Sequence, residues 1–297
     1  MAPSFDLVFV GNVVIDEIHP FDGPAHTFCG GPVQFCAMAA SWSPRSIALV
    51  TKMAERDTHC LDAVRAAGIV VHIPPSAETT YHRVRHLTGD VDQREMTLVK
   101  SAGFYSAQDL PEMKPTLLHL AGLNNQEFTV DFLRELRGRG FTLALDMQSF
   151  VRQVDPETGE TELADVAEKL EIIRLVERIK VDAVEAEVLT GTADLEQAAI
   201  RFEEWGASEV MVTRAEGVLV RHQGRTYFER YSNRNVQGRT GRGDTTFGSY
   251  LARRLSHGVA ESLKFAAALA SIKMENPGPF SGTLEQVLER MGPQQPR

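Results

Sequence analysis

Gly238-Arg-Thr-Gly-Arg-Gly-Asp-Thr245 runs straight into Thr245-Thr-Phe-Gly-Ser-Tyr-Leu-Ala-Arg-Arg-Leu255, a glycine-spaced loop followed by a helical pattern. Glycines at 241 and 243 let the backbone turn tightly and aim its N–H groups at one point. The positive end of the following helix adds to the attraction for negative charge. The stretch reads as an anion cradle with a carboxylate set inside it, and such a loop binds phosphate.

Its spacing almost satisfies the Walker A template, with Gly238, Gly243 and Thr245 in place, but Asp244 stands where the phosphate-binding lysine should be. A carboxylate repels a resting polyphosphate, yet it can take a proton from an alcohol attacking the γ-phosphorus while adjacent N–H groups hold the developing charge. Asp244 is therefore a candidate general base. The duller alternative is a glycine-rich turn whose aspartate caps the helix.

Outward from the loop, short β-branched runs alternate with helical periodicity, the pattern of a parallel sheet covered by helices on both faces. The expected fold is α/β, a Rossmann-like, mostly parallel central sheet. Strands are expected at 7–10, 47–51, 69–73, 117–120, 142–146, 181–184, 210–213 and 218–221. Helices are expected at 129–138, with Phe132, Leu133 and Leu136 on one face, and at 164–180, with Val166, Leu170, Ile173 and Val176. Leu195, Ala199, Phe202 and Trp205 mark another.

Two segments break the alternation, 17–29 and 79–100. The second reads as a hairpin turning near Thr88-Gly89-Asp90. Charged and poor in core residues, these segments are expected to form a small β lid over a site, with 1–16, 30–78 and 101–297 forming the main domain. The lid's exposed edge offers a route to a homodimer.

Composition excludes several classes. The 297 residues are 43% hydrophobic and 24% charged, with a net charge of -9 and no run of Lys or Arg, so no footprint for nucleic-acid binding exists. The expected partner is a small molecule, with no nucleic acid and no membrane. Cys29, Cys36 and Cys60, in a chain whose first residues lead directly into a strand, suggest a reducing, cytoplasmic setting, not a disulfide scaffold, with the mature chain starting at or near Met1. His82 and His86 are four apart, about 13 Å on a strand, too far to share a zinc ion. A polar, frayed tail is expected over 292–297.

These motifs together resemble the ribokinase-like (PfkB) carbohydrate kinases, from the first strand to about Gly282. Gly241-Arg-Gly-Asp244 is similar to that family's Gly-Ala-Gly-Asp signature, which makes Gly241, Arg242, Gly243 and Asp244 the catalytic loop. Gly11-Asn-Val-Val-Ile-Asp16 resembles the first-strand element and Gly30-Gly31 the substrate loop, implying that Asn12, Asp16, Gly30 and Gly31 bind the acceptor. Leu145-Asp-Met-Gln-Ser-Phe-Val-Arg152 resembles a further substrate segment, adding Gln148 and Arg152. Val181 to Gly191 resembles the Asn-x-x-Glu stretch, which implies a magnesium-supporting role for Glu187, and Val210 to Val218 the strand and turn lining ATP. Thr213, Arg214, Gly217 and Asn276 are the implied nucleotide-binding residues.

The chain departs from the family pattern in several places. Gly238 replaces an aspartate, Arg242 a small alanine, Val184 the asparagine, and Ala215-Glu216-Gly217 a longer turn. Gln34-Phe35-Cys36 follows the substrate loop where ribokinases carry asparagine. The resemblance implies an ATP- and magnesium-dependent kinase acting on a hydroxyl of a sugar, polyol or nucleoside. A catalytically idle sensor on the same fold is the alternative. A dinucleotide oxidoreductase is disfavoured because no Gly-x-Gly-x-x-Gly follows the first strand.

Overall fold

In the computed structural model, residues 3–89 and 94–292 are described. At the centre lies β1 (Leu7–Val10), paired in parallel with β4 (Ile47–Val50) on one side and β8 (Leu117–Leu120) on the other. All of its residues are buried, as a strand covered on both faces requires. Its side chains alternate: Leu7 and Phe9 join one core layer, Val8 and Val10 the other.

The main sheet has nine strands in the order β15-β14-β13-β12-β9-β8-β1-β4-β5. Beyond β1, β4 and β8 these are β5 (Val70–His72), β9 (Thr142–Asp146), β12 (Arg178–Asp182), β13 (Glu209–Thr213), β14 (Gly217–His222) and β15 (Arg225–Arg230). Pairing is parallel from β5 to β13; β14 and β15 complete the sheet as antiparallel strands. On one face, α1 (Pro32–Ala40), α8 (Arg242–Arg254) and α9 (Val259–Met274) cover Leu7 and Phe9 with Val33, Phe247, Tyr250 and Leu263. The other face carries α3 (Val130–Gly138), α5 (Lys169–Leu175), α6 (Ala183–Thr190) and α7 (Leu195–Trp205). Two short helices, α2 (Asp62–Ala66) and α4 (Gln148–Val151), and the C-terminal α10 (Leu284–Met291) complete the set.

A separate four-stranded sheet, ordered β3-β2-β6-β7, is built from β2 (Val14–His19), β3 (His26–Gly30), β6 (Thr80–His86) and β7 (Arg94–Lys100). Its inner pair, β2 and β6, is parallel, so the two segments that broke the alternation meet in one sheet. Asp90, placed in the turn by sequence, and 293–297 of the expected tail lie outside the described residues. A hairpin of β10 (Arg152–Val154) and β11 (Thr161–Leu163) leans on β7, where Leu98 N–H donates to Gly159 O at 2.8 Å.

Three expectations need correction. The helix expected over 164–180 is confined to α5, because Ile179 and Val181 fill the sheet interior between β9 and β13, and Leu170 is 39% exposed. The strand expected at 181–184 therefore begins at Arg178, and Val184 lies exposed on α6. Cys29 and Cys60 form a disulfide instead of remaining thiols: β3 ends beside the 3-10 turn Glu55–Leu61, which brings their Cα atoms to 5.5 Å, within bridging range. Cys36 is free and buried.

Candidate active site

The C-terminal ends of β9, β12 and β13, where an open α/β sheet presents its ligand crevice, face the small sheet across a cavity of about 330 Å³. The glycine-spaced loop 238–244 forms one wall. Gly241 caps α8 with φ +76°, and a Cβ there would stand 2.5 Å from the Phe35 ring, so both the backbone geometry and the space exclude a side chain. Arg242 N–H donates to Arg239 O at 3.1 Å, and the amides of Gly243 and Asp244 follow at the positive end of the helix.

Asp244 is half-buried in this first turn. Its carbonyl accepts from Cys36 Sγ at 3.2 Å, and its Oδ1 lies 3.5 Å from Gln148 Nε2, which also donates to Gly122 O at 3.0 Å. Beneath Gly243, Lys180 Nζ sits 2.8 Å from Asp146 Oδ2, both fully buried on adjacent strands. Burial opposes the lysine's charge, but Asp146, Glu185, Asp244 and Asp182 outweigh it and raise Lys180 above the ordinary lysine value. The ammonium is a fixed positive charge under that loop.

Asp16 lines the cavity from β2 of the small sheet, not from the end of β1 as its sequence position suggested. Desolvation raises its carboxyl to about 6, with Arg94 pulling the other way. His82, paired with Asp16 across β2 and β6, is buried and held neutral, its pKa pushed to about 4 by desolvation and by Arg152. Asn124 Oδ1 accepts from Gln126 N, so its amide nitrogen faces His82 Nε2 at 3.2 Å. The imidazole proton then belongs on Nδ1, which points at Asp16 Oδ1 from 3.8 Å.

Of the residues singled out from sequence, Asp16, Gly31, Gln148, Arg152, Thr213, Gly241, Arg242, Gly243 and Asp244 share this cavity. Arg152 is tied to buried Glu185 at 3.0 Å. Asn12 and Gly30 stand behind the lining: Asn12 N–H donates to Glu127 and its Oδ1 accepts from Tyr105 O–H, while Gly30 abuts Phe28. Arg214 turns over Phe228 at 5.0 Å, and Gly217 is walled in by the Glu229 carbonyl. Asn276 lines a neighbouring cavity of about 650 Å³. Glu187 lies on the exposed face of α6; Glu185, two residues earlier, is the buried glutamate.

Sequence reasoning gave Lys180, Lys273, His82 and Arg239 no role in this site. A lysine inside the apolar run Ile179-Lys-Val181 and another in the alanine-rich run before Met274 were the available signals for the first two. His82 and Arg239 left none.

A model of the pfkB family of carbohydrate kinases matches residues 26–286. A cytidine kinase of Thermococcus kodakarensis is 28% identical over 225 residues, 72% of this chain and 75% of that protein. A pyrophosphate-dependent kinase in the ribokinase family, solved with a pyrophosphate analog and myo-inositol, superposes with TM-score 0.86 at 29% identity, covering 95% of this chain and 99% of that one. The ribokinase of Arabidopsis thaliana, complexed with ribose and ATP, shares the fold with TM-score 0.74 at 19% identity, over 98% of this chain and 100% of its own.

Proposed function

This chain belongs to the pfkB family of carbohydrate kinases, and from that premise we propose how its cavity moves a phosphoryl group onto a hydroxyl. As a member it is a phosphotransferase with an alcohol acceptor, a sugar or nucleoside kinase of the ribokinase type. One observation carries the mechanistic reading. Asp16, from the small sheet, and Asp244, from the loop, both line one cavity of about 330 Å³, which lets a small alcohol held by the first carboxylate present a hydroxyl to the second.

Asp244 takes the hydroxyl proton as the oxygen attacks phosphorus, and Gln148 holds its carboxylate toward the acceptor. The amides of Gly243 and Asp244, with Arg242, receive the charge that builds on the transferred group. Lys180 supports that wall from below. Asp16 accepts hydrogen bonds from further acceptor hydroxyls, while Val14, Phe35, Val84, Met96 and Leu123 offer apolar contact to a ring face. A compact polyol of the inositol type suits this mixture, and a sugar or nucleoside is the wider class. The small sheet, closing over the acceptor, excludes the water that would otherwise hydrolyse the donor.

The donor on the family's pattern is ATP. Inorganic pyrophosphate is the second reading, favoured by Arg239 and Arg242 crowding one short loop while Arg214, expected at the nucleotide, turns away to Phe228. The likeness to a pyrophosphate-dependent kinase supports it. Magnesium, an oxygen-seeking ion that offsets phosphate charge when bound, would draw on Asp182, which lines the cavity, caps α6 through Oδ1 and has Oδ2 4.0 Å from the Arg152 guanidinium. Asp182 and the donor phosphates would hold it, in place of outward-facing Glu187.

The test is release of ADP from Mg-ATP, and of phosphate from Mg-pyrophosphate, over a panel of sugars, polyols and nucleosides. Acceptor-dependent release should fall roughly 10² to 10⁴ in Asp244→Asn, the range for a positioned base, with donor binding little changed. Retained turnover would remove Asp244 from the mechanism.

A further inference from the structure

Amides that converge on an anion force the carbonyls of the same loop to point back into the protein, where their negative ends oppose the site unless something answers them. Here the answer is Lys273 in the last turn of α9. It is only 2% exposed, and its Nζ donates to both Gly238 O and Thr240 O. Its remaining face lies over the Phe35 ring, 4.9 Å from the centroid, the same ring that closes against Gly241.

The loop is seated on this helix end with no slack. Gly238 N–H donates to Met274 O at 2.8 Å, and a Cβ on Gly238 would fall 1.7 Å from Asn276 O, so only glycine lets the strand of loop reach the ammonium. This accounts for Gly238, where the family pattern has aspartate: a side chain has no room there, and the space beside the loop is taken by the helix end that carries Lys273. A buried ammonium held by two neutral carbonyls costs desolvation that a structural role alone does not require.

We propose that Lys273 is a positioning residue of the phosphoryl-transfer site: an internal ammonium that gathers the carbonyls of Gly238 and Thr240 and so aims the Gly243 and Asp244 amides at the transferring phosphate. The inference rests on the reading of this loop as the anion hole. It acts through the loop and touches no substrate. The charged groups around it are Asp244 of α8 and, across the neighbouring cavity, Arg234, Glu275, Glu289 and Arg290, of which Glu275 and Arg290 are paired at 2.9 Å. Burial lowers the Lys273 pKa to about 8, with Asp244 opposing the shift. The charge is therefore present at neutral pH and is lost as pH rises through 8.

The experiment is titration calorimetry of the whole chain with inorganic pyrophosphate as probe, in sodium buffer, for wild type, Lys273→Ala and Lys273→Arg, with melting temperatures measured alongside. Lys273→Ala should bind pyrophosphate at least tenfold more weakly, and ammonium or potassium chloride, whose cations match the lost group in size and charge, should restore most of the loss where lithium chloride at equal ionic strength does not. Wild-type affinity should fall between pH 7 and 9, while Lys273→Arg, charged throughout, should stay level. Unchanged affinity in Lys273→Ala overturns the proposal. So does a loss that no cation recovers, or an alkaline fall that persists in Lys273→Arg. Should Lys273→Ala not fold, the pH comparison between wild type and Lys273→Arg decides alone. Failure of the wild type to bind pyrophosphate or Mg-ATP at all would instead sink the anion-hole reading itself.

Discussion

Replacing Asp16 with asparagine should make the protein more stable while destroying its grip on the acceptor. Asp16 is ionised at neutral pH in a place that resists the charge: its side chain is 18% exposed, and burial raises its carboxyl from 3.8 to about 6. The unfolded chain ionises the same group freely near pH 4. At about 1.4 kcal/mol per pH unit, the folded state loses about 3 kcal/mol by holding the ionised form. Because the folded value is the higher one, the penalty is full above pH 6 and fades as pH falls through 6 toward 4. An asparagine keeps the shape without the charge. Asp16→Asn should therefore melt roughly 5 °C above wild type at pH 8, taking about 2 °C per kcal/mol for a chain of this size. At pH 4.5 the gap should shrink to about 2 °C, because roughly 1 kcal/mol of the penalty remains there. Calorimetric scans at both pH values, with acceptor affinity measured at pH 8, check the argument. A variant less stable at pH 8, or a gap independent of pH, would show that Asp16 is not held as a strained anion.

His82→Leu removes the polar ring whose Nδ1 stands 3.8 Å from Asp16 Oδ1 and should raise the acceptor KM about threefold, less than the worth of a full hydrogen bond to a charged group, with kcat changed less; His82→Asn, whose amide nitrogen falls near Nδ1, should recover part of the loss in steady-state kinetics. Cys29→Ser opens a link between residues 31 apart, and chain entropy sets the cost at roughly 3 to 4 kcal/mol, readable as a lower guanidinium midpoint that reduced wild type shares. Gly241→Ala pushes a methyl into Phe35 and a non-glycine residue into positive φ; turnover should drop by about a hundredfold, comparable to losing an oxyanion donor, with acceptor binding, measured by calorimetry, weakened less because Phe35 is one of several apolar side chains on that wall.

The alternation of Leu7 to Val10, Ile47 to Val50 and Leu117 to Leu120 with amphipathic runs was enough to read the central sheet, because strands buried on both faces must be continuously apolar. The same logic failed at Ile179-Lys180-Val181, where a buried lysine breaks the run and helix-like spacing continues into it. That Asp244 and the glycines around it line a cavity was legible because a glycine-spaced turn into a helix has a local signature. Lys180, Lys273 and His82 were not, since each acts through partners distant in sequence: Asp146, Gly238 and Asp16. Adjacent strands and helix ends assemble those pairs, and no spacing rule along the chain encodes them. Cys29 and Cys60 escaped for the same reason, their meeting being decided by where β3 ends.

The parallel pairing of β2 with β6 has a consequence for anyone who would re-engineer this molecule. The sheet that carries Asp16 and His82 is woven from two stretches far apart in the chain, and its inner hydrogen-bond ladder runs between them. If this sheet holds the acceptor as proposed, acceptor preference does not transplant as one cassette. Exchanging 80–100 alone with a relative would set foreign side chains against a native β2, and exchanging 14–30 alone would do the reverse, each leaving a mismatched seam beside the acceptor. Only a two-piece graft moves the recognition surface intact, and libraries that vary both stretches together sample functional sequences that single-segment libraries never reach.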